Sequence, residues 1–180
     1  MSTGLKREQV AAAFPGDDIT AVPAGDLPDG LTDPVARRVL TEIGFPESVV
    51  GCVFFEGVEG PMQTLAEFRA GEQTPAELAG DYLVAVTDTA SICLNGSTGE
   101  CRFAPTGSDT SAHAAADLEL LLTFLCRLRT ALFDVSADTP DDELDRVEER
   151  LVAHYRAADG AIAEADWRWI IRRCIGEVRL

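Results

Sequence analysis

The sequence predicts an α+β domain, an antiparallel sheet with helices massed on one side, and three observations carry that prediction. Tyr82–Phe103 reads as three short strands in a row: β-branched and aromatic runs, with Asp88-Thr89 and Asn95–Gly99 supplying the turns. Two long helical stretches follow, the first with Leu118, Leu121, Leu122, Leu125, Leu128 and Leu132 at intervals of three and four. The order of helix, strands and then long helices is that of an α+β domain, in which a meander too small to stand alone gains a covering layer.

Taken in order, Leu5–Phe14 is a short amphipathic piece, an N-terminal helix or a flexible segment within residues 1–14, and Pro15-Gly16 ends it. Ile19–Val22 is a brief strand candidate, and Pro23–Gly30 is a loop. Pro34–Ile43 is a helix with Thr32 or Asp33 as cap and Pro34 in the first turn. Val35, Val39, Leu40 and Ile43 form its apolar stripe, and Gly44 follows where a left-handed residue is favoured. Val49–Glu56 is a strand candidate interrupted at Gly51, and Thr64–Arg69 is a helical turn. After the meander, Pro105–Ser111 is a loop and Ala112–Phe133 the leucine-rich helix. Thr139 caps the second long helix, where Pro140, Asp141, Asp142 and Glu143 fill the first turn and complement the helix dipole. Asp159-Gly160 breaks that helix. The last, Glu164–Ile175, carries Trp167 and Trp169, which lie two apart and cannot share a face. One belongs in the core and the other nearer the rim.

At 180 residues the chain is expected to form one domain, with about 70% of its unfolded surface buried and no need of a metal or disulfide staple. Its 31 acids and 15 bases give a net charge of −16, spread over both halves. Such a surface repels phosphates, which argues against direct nucleic-acid binding and for a basic protein partner. Only Lys6 is lysine among the bases, a composition that reads as a high-GC bacterial genome. No signal peptide opens the chain and no apolar run spans a membrane, so the cytoplasm is the expected home.

Candidate chemistry is sparse, and no cofactor is expected. The five cysteines (Cys52, Cys93, Cys101, Cys126, Cys174) form no Cys-x-x-Cys pair, and most read as small buried hydrophobes. Cys93 and Cys101 flank one turn and are candidates to face each other. His113 and Asp117, four apart on the expected helix, are a weak metal pair, and His154 reads as a partly buried helix residue. There is no nucleophile elbow and no glycine-rich phosphate loop. The run Asp138, Asp141, Asp142, Glu143, Asp145, Glu148 and Glu149 reads either as a solvated helix face or as a docking surface for a basic partner.

Four pieces in order resemble the SUKH superfamily, specifically its fourth subgroup of bacterial immunity proteins. They are Leu40-Thr-Glu-Ile-Gly-Phe-Pro running into Phe54-Phe; Asp81-Tyr-Leu-Val-Ala-Val-Thr-Asp with Ser91-Ile-Cys-Leu and Gly99-Glu-Cys; the Ala115–Leu128 helix; and Ile162 through Trp167-Arg-Trp to Gly176. Where the family often has an Asn/Ser pair before the long helix this chain has Ala116-Asp117, and Phe124 serves as the helix aromatic. The resemblance implies a mainly antiparallel sheet of about five to six strands covered by helices. It also implies a non-catalytic immunity role, the binding and neutralising of a cognate protein toxin, often a nuclease or deaminase. A regulatory scaffold and a small hydrolase using a cysteine or carboxylate are the alternatives.

Overall fold

A computed structural model describes residues 4–180. Six strands among the described residues pair only with their chain neighbours, all antiparallel: β1 (Ser48–Val49), β2 (Val53–Phe54), β3 (Tyr82–Val86), β4 (Ala90–Leu94), β5 (Cys101–Pro105) and β6 (Ala112–Ala115). The helices are α1 (Arg7–Ala13), α2 (Pro34–Arg38, continued by a π turn, Val39–Ile43), α3 (Leu65–Phe68), α4 (Leu118–Ala131), α5 (Asp141–Ala158) and α6 (Glu164–Val178). Of the segment 1–14, α1 supplies the helix, and Met1–Thr3 lie outside the described residues.

The meander forms where its turn residues dictate. Thr87 Oγ1 accepts from the Ala90 amide at 2.9 Å and closes β3 onto β4. Asn95 Oδ1 accepts from the amides of Ser97 and Thr98 at 3.1 and 3.0 Å, the side chain taking the place of a backbone carbonyl. Gly99 ends this turn at φ +78, and a Cβ there would stand 2.7 Å from the Asp33 carboxylate, so glycine is required twice over.

Strand alternation sorts the sheet into two faces. Ile92, Leu94, Cys101 and Phe103 enter the main core beneath α4, α5 and α6, whereas Cys93 and Ala104 pack with Leu65 and Leu78 on the other side. The helices are therefore massed on one face, and only α3 and a short 3₁₀ turn cover the other. Cys93 and Cys101 lie on opposite faces and do not face each other. On the lightly covered side, buried Arg69 donates to Ala104 O at 2.5 Å and to Ser91 Oγ at 3.1 Å, strapping α3 to β4 and β5.

Four aromatic rings fasten the helices to the sheet. Trp167 of α6 meets Phe103 of β5, Phe124 of α4 and Tyr155 of α5 at centroid distances of 5.5, 5.6 and 5.0 Å, all edge-to-face, while Phe124 and Tyr155 stack at 4.3 Å. Their polar atoms are satisfied: Trp167 Nε1 donates to Ala114 O at 3.0 Å and Tyr155 Oη to Phe124 O at 2.7 Å. Trp167 is the core tryptophan and Trp169 the half-buried one, as two residues of helix spacing require.

At the opposite end, buried Glu119 on the first turn of α4 accepts from the Leu5 amide at 2.7 Å and from Arg38 at 2.5 Å. One carboxylate thus holds the N-terminal segment, α2 and α4 together.

The structure corrects four expectations. Ala112–Ala115 is strand β6, and the leucine helix begins at Leu118, capped by Asp117 Oδ1 on the Leu120 amide at 2.7 Å. The free edge of β5 recruits this helix-favouring segment, because pairing the ladder outweighs a weak local propensity. Val49–Glu56 is not one interrupted strand but a hairpin: Val50 and Gly51 have φ +53 and +67, and the Cys52 amide closes the turn on Val49 O at 2.9 Å. Both central residues are left-handed, as the twist of a tight hairpin requires, and the β-branched Val50 stores about 1–2 kcal/mol of strain there. Thr139 does not cap α5; Pro140 occupies that position and Thr139 Oγ1 accepts from the Ser136 amide at 2.9 Å. Ile19–Val22 contributes a single bridge, Thr20 to Phe45, rather than a strand.

Trp167→Ala is expected to cost about 3–5 kcal/mol in urea denaturation, and Trp169→Ala markedly less; equal losses would contradict the packing described. Glu119→Ala should cost about 3 kcal/mol, the low end for a broken buried pair because Arg38 can turn to water, with Glu119→Gln milder in the same measurement.

Candidate functional site

The acids singled out by sequence lie on α5 and just before it. Leu144, Val147, Leu151, Val152 and Tyr155 bury one face of this helix, leaving Asp141, Asp142, Glu143, Asp145 and Glu149 exposed, with Asp138 exposed in the preceding turn. Glu148 departs from a solvated face. It is 3% exposed and bonds Arg168 at 2.6 Å and Arg172 at 2.5 Å, both on α6. Burial opposes its charge most strongly, but Arg172 and Arg168 together lower its pKa. Glu149 shares Arg168 at 2.7 Å, Asp141 pairs with Arg179 at 3.0 Å and Asp142 with Arg146 at 2.7 Å. Asp138, Glu143 and Asp145 make no ion pair among the described residues. Position 148 falls on the apolar stripe of 144, 147, 151 and 155, and that spacing is the signal that could have separated it from the others.

A second acidic surface is concave. Segments 16–20, 45–48 and 55–59 diverge from the Thr20–Phe45 bridge and enclose a cleft of about 390 Å³. Asp17, Asp18, Glu47 and Glu59 line it, all exposed, and none makes an ion pair among the described residues. Buried Phe45 and Phe55, with ring centroids 4.9 Å apart, form its base. A contiguous cavity of about 320 Å³ shares Thr20, Val58 and Glu59 and adds Asp26. No basic side chain lines either cavity. Sequence reading missed this site because its walls come from three separated segments, with nothing in any one of them but ordinary loop acids.

The two histidines and several of the thiols are held within the fold. His113 stands on β6, not on a helix with Asp117, so those two residues form no pair for a metal. Its Nδ1 is 2.8 Å from Glu100 and its Nε2 2.7 Å from Asp159. Burial is the largest influence on the imidazole and opposes its charge, yet the two carboxylates together raise its pKa above the usual value. Hydrogen bonding from Arg102, then from His113, lowers Glu100; for Asp159, burial is outweighed by His113 and the Ala161 amide, which lower it. His154 is half-buried on α5, its pKa lowered by burial and Arg127. Burial pushes the Cys93 and Cys126 thiols up to about 12, which leaves them poor nucleophiles. Among the described residues no group of three His, Cys, Asp or Glu side chains gathers to hold a metal, and no helix is long and apolar enough to cross a membrane.

The fold and its surface define an acidic α+β protein whose prominent features are charged faces suited to contact. The model of the SUKH-4 immunity protein family matches residues 5–169, and the chain belongs to that family. No curated protein and no solved structure gives a significant match.

The His113 cluster predicts a pH profile. The histidine's contribution to stability is complete below about pH 6.5 and is lost as pH rises through its raised folded pKa; Glu100 and Asp159 contribute above about pH 4 and lose their share as pH falls through their lowered values. Urea midpoints measured against pH should therefore decline more steeply on the alkaline side for the wild type than for His113→Gln. Parallel curves would refute the assignment.

Proposed function

We propose that this immunity protein acts without catalysis, binding a cognate protein toxin whose basic, nucleic-acid-processing surface, as in a nuclease or deaminase, is blocked by the acidic exterior, in the cytoplasm. The observation that carries this reading is the cleft whose four exposed carboxylates make no ion pair among the described residues, the adjacent Arg7 guanidinium being held by the Ile19 and Ile43 carbonyls. A basic partner would supply the counter-charge, and the field of a −16 chain would steer it in. The acids around the start of α5 are the second candidate surface. Asp138, Glu143 and Asp145 are free to accept a partner, Asp141 and Asp142 would exchange an arginine of their own chain for one of the toxin, and Glu148 and Glu149 are held by α6.

The test is binding to the product of the neighbouring toxin gene, measured at low and high salt. Joint reversal of Asp17, Asp18, Glu47 and Glu59 to lysine should slow association about tenfold or more and flatten the salt dependence. Reversal of Asp138, Asp141, Asp142, Glu143 and Asp145 reports on the other surface. Unchanged, salt-insensitive binding by both variants would defeat the electrostatic reading.

A further inference from the structure

We propose that Cys52 and Cys174 form a reversible disulfide that fastens the β1–β2 hairpin to α6 when the protein meets a peroxide. The two cysteines are 122 positions apart in sequence yet converge on one carbonyl: the Cys52 amide donates to Val49 O at 2.9 Å, and Cys174 Sγ lies 4.0 Å from the same oxygen. Cys52 Sγ is 3.5 Å from Val50 O, so the two sulfurs sit on adjacent carbonyls of one tight turn, and each thiol shifts the other's pKa. Cys52 is itself buried, 5% exposed, but follows Gly51, an exposed residue with open space around the position of a Cβ, so opening of the hairpin tip brings a small oxidant to its sulfur. Cys174 is fully buried behind it.

Cys52 is the attacking sulfur, being the less buried of the pair. The Cys174 thiol is the main influence lowering its pKa; burial opposes this, Arg173 assists, and Glu177 and Asp88 oppose it more weakly. Cys174 is correspondingly pushed up and stays a thiol. The Cys52 thiolate attacks one peroxide oxygen, the O–O bond breaks, and a sulfenic acid and one water form after protonation. The Cys174 sulfur attacks the sulfenic sulfur only as its proton passes to the departing oxygen, so that the S–O bond breaks and a second water leaves; this closing step is the slow one. Two thiols and one hydrogen peroxide thus give one disulfide and two waters. The other three cysteines offer no such pair: Cys93 and Cys101 lie on opposite sheet faces, and Cys126 is on α4. The bond would tie down a hairpin that carries left-handed Val50 and borders the acidic cleft through Glu47, Ser48 and Phe55.

The experiment treats the full chain with hydrogen peroxide, blocks remaining thiols, and digests with trypsin without reduction. The peptide Val39–Arg69 should be found joined to Cys174–Arg179, become the main species containing Cys52, and separate on addition of a thiol reductant. In Cys174→Ala the link should vanish and a sulfenic acid on Cys52 should be trapped by dimedone. The oxidised wild type should also melt at a higher temperature than the reduced form, with the difference absent in Cys52→Ser. Oxidation of Cys52 to the sulfinic acid without the link, links among other cysteines, or five thiols unchanged by peroxide would each overturn the proposal.

Discussion

The edge-to-face contacts of Trp167 are the constraint on which the remaining architecture depends. One indole touches a ring from β5, one from α4 and one from α5, and its N–H reaches the backbone of β6. A buried indole must find an acceptor, and the Ala114 carbonyl is available because β6 is a strand. The same junction brings the start of α6 against the sheet edge, where the Ala163 amide donates to His113 O at 2.8 Å. That edge is thereby covered, which removes a template for pairing with another chain.

Charge is distributed unevenly over this frame. Two arginines of α6 face α5, where Arg168 and Arg172 take up Glu148 and Glu149. Arg38 is committed to Glu119, Arg102 to Glu100, and Arg69 to backbone and hydroxyl oxygens. With 15 bases against 31 acids, many carboxylates are left without an ion pair among the described residues, and four of them line the cleft beside the Thr20–Phe45 bridge.

Much of the fold was legible because local signals agreed with it. The Asn95–Gly99 turn, the Asp33-Pro34 helix start and the Thr64–Arg69 helical turn each satisfy backbone groups within a few residues, so a short window suffices. Ala112–Ala115 was illegible because its strand state depends on a partner, β5, and the local composition favours helix. Asp117 was visible as a capping residue, and giving it that weight would have set the helix start. Val50 shows the converse: a β-branched run reads as continuous strand, and only the backbone angles reveal the reversal. For the site, the exposed acids of α5 were apparent from periodicity, whereas the pairing of Glu148 required knowing that α6 folds back on α5. The acidic cleft required three segments to be brought together.

The tryptophan that joins sheet and helices follows all six strands, α4 and α5 in sequence, so the aromatic junction cannot close during synthesis until all of those elements have been made. The sheet can pair progressively during synthesis, since each strand meets its predecessor, but the helical roof is locked only at the end. Nascent fragments that stop short of Trp167 would lack the junction that fixes α5 in place.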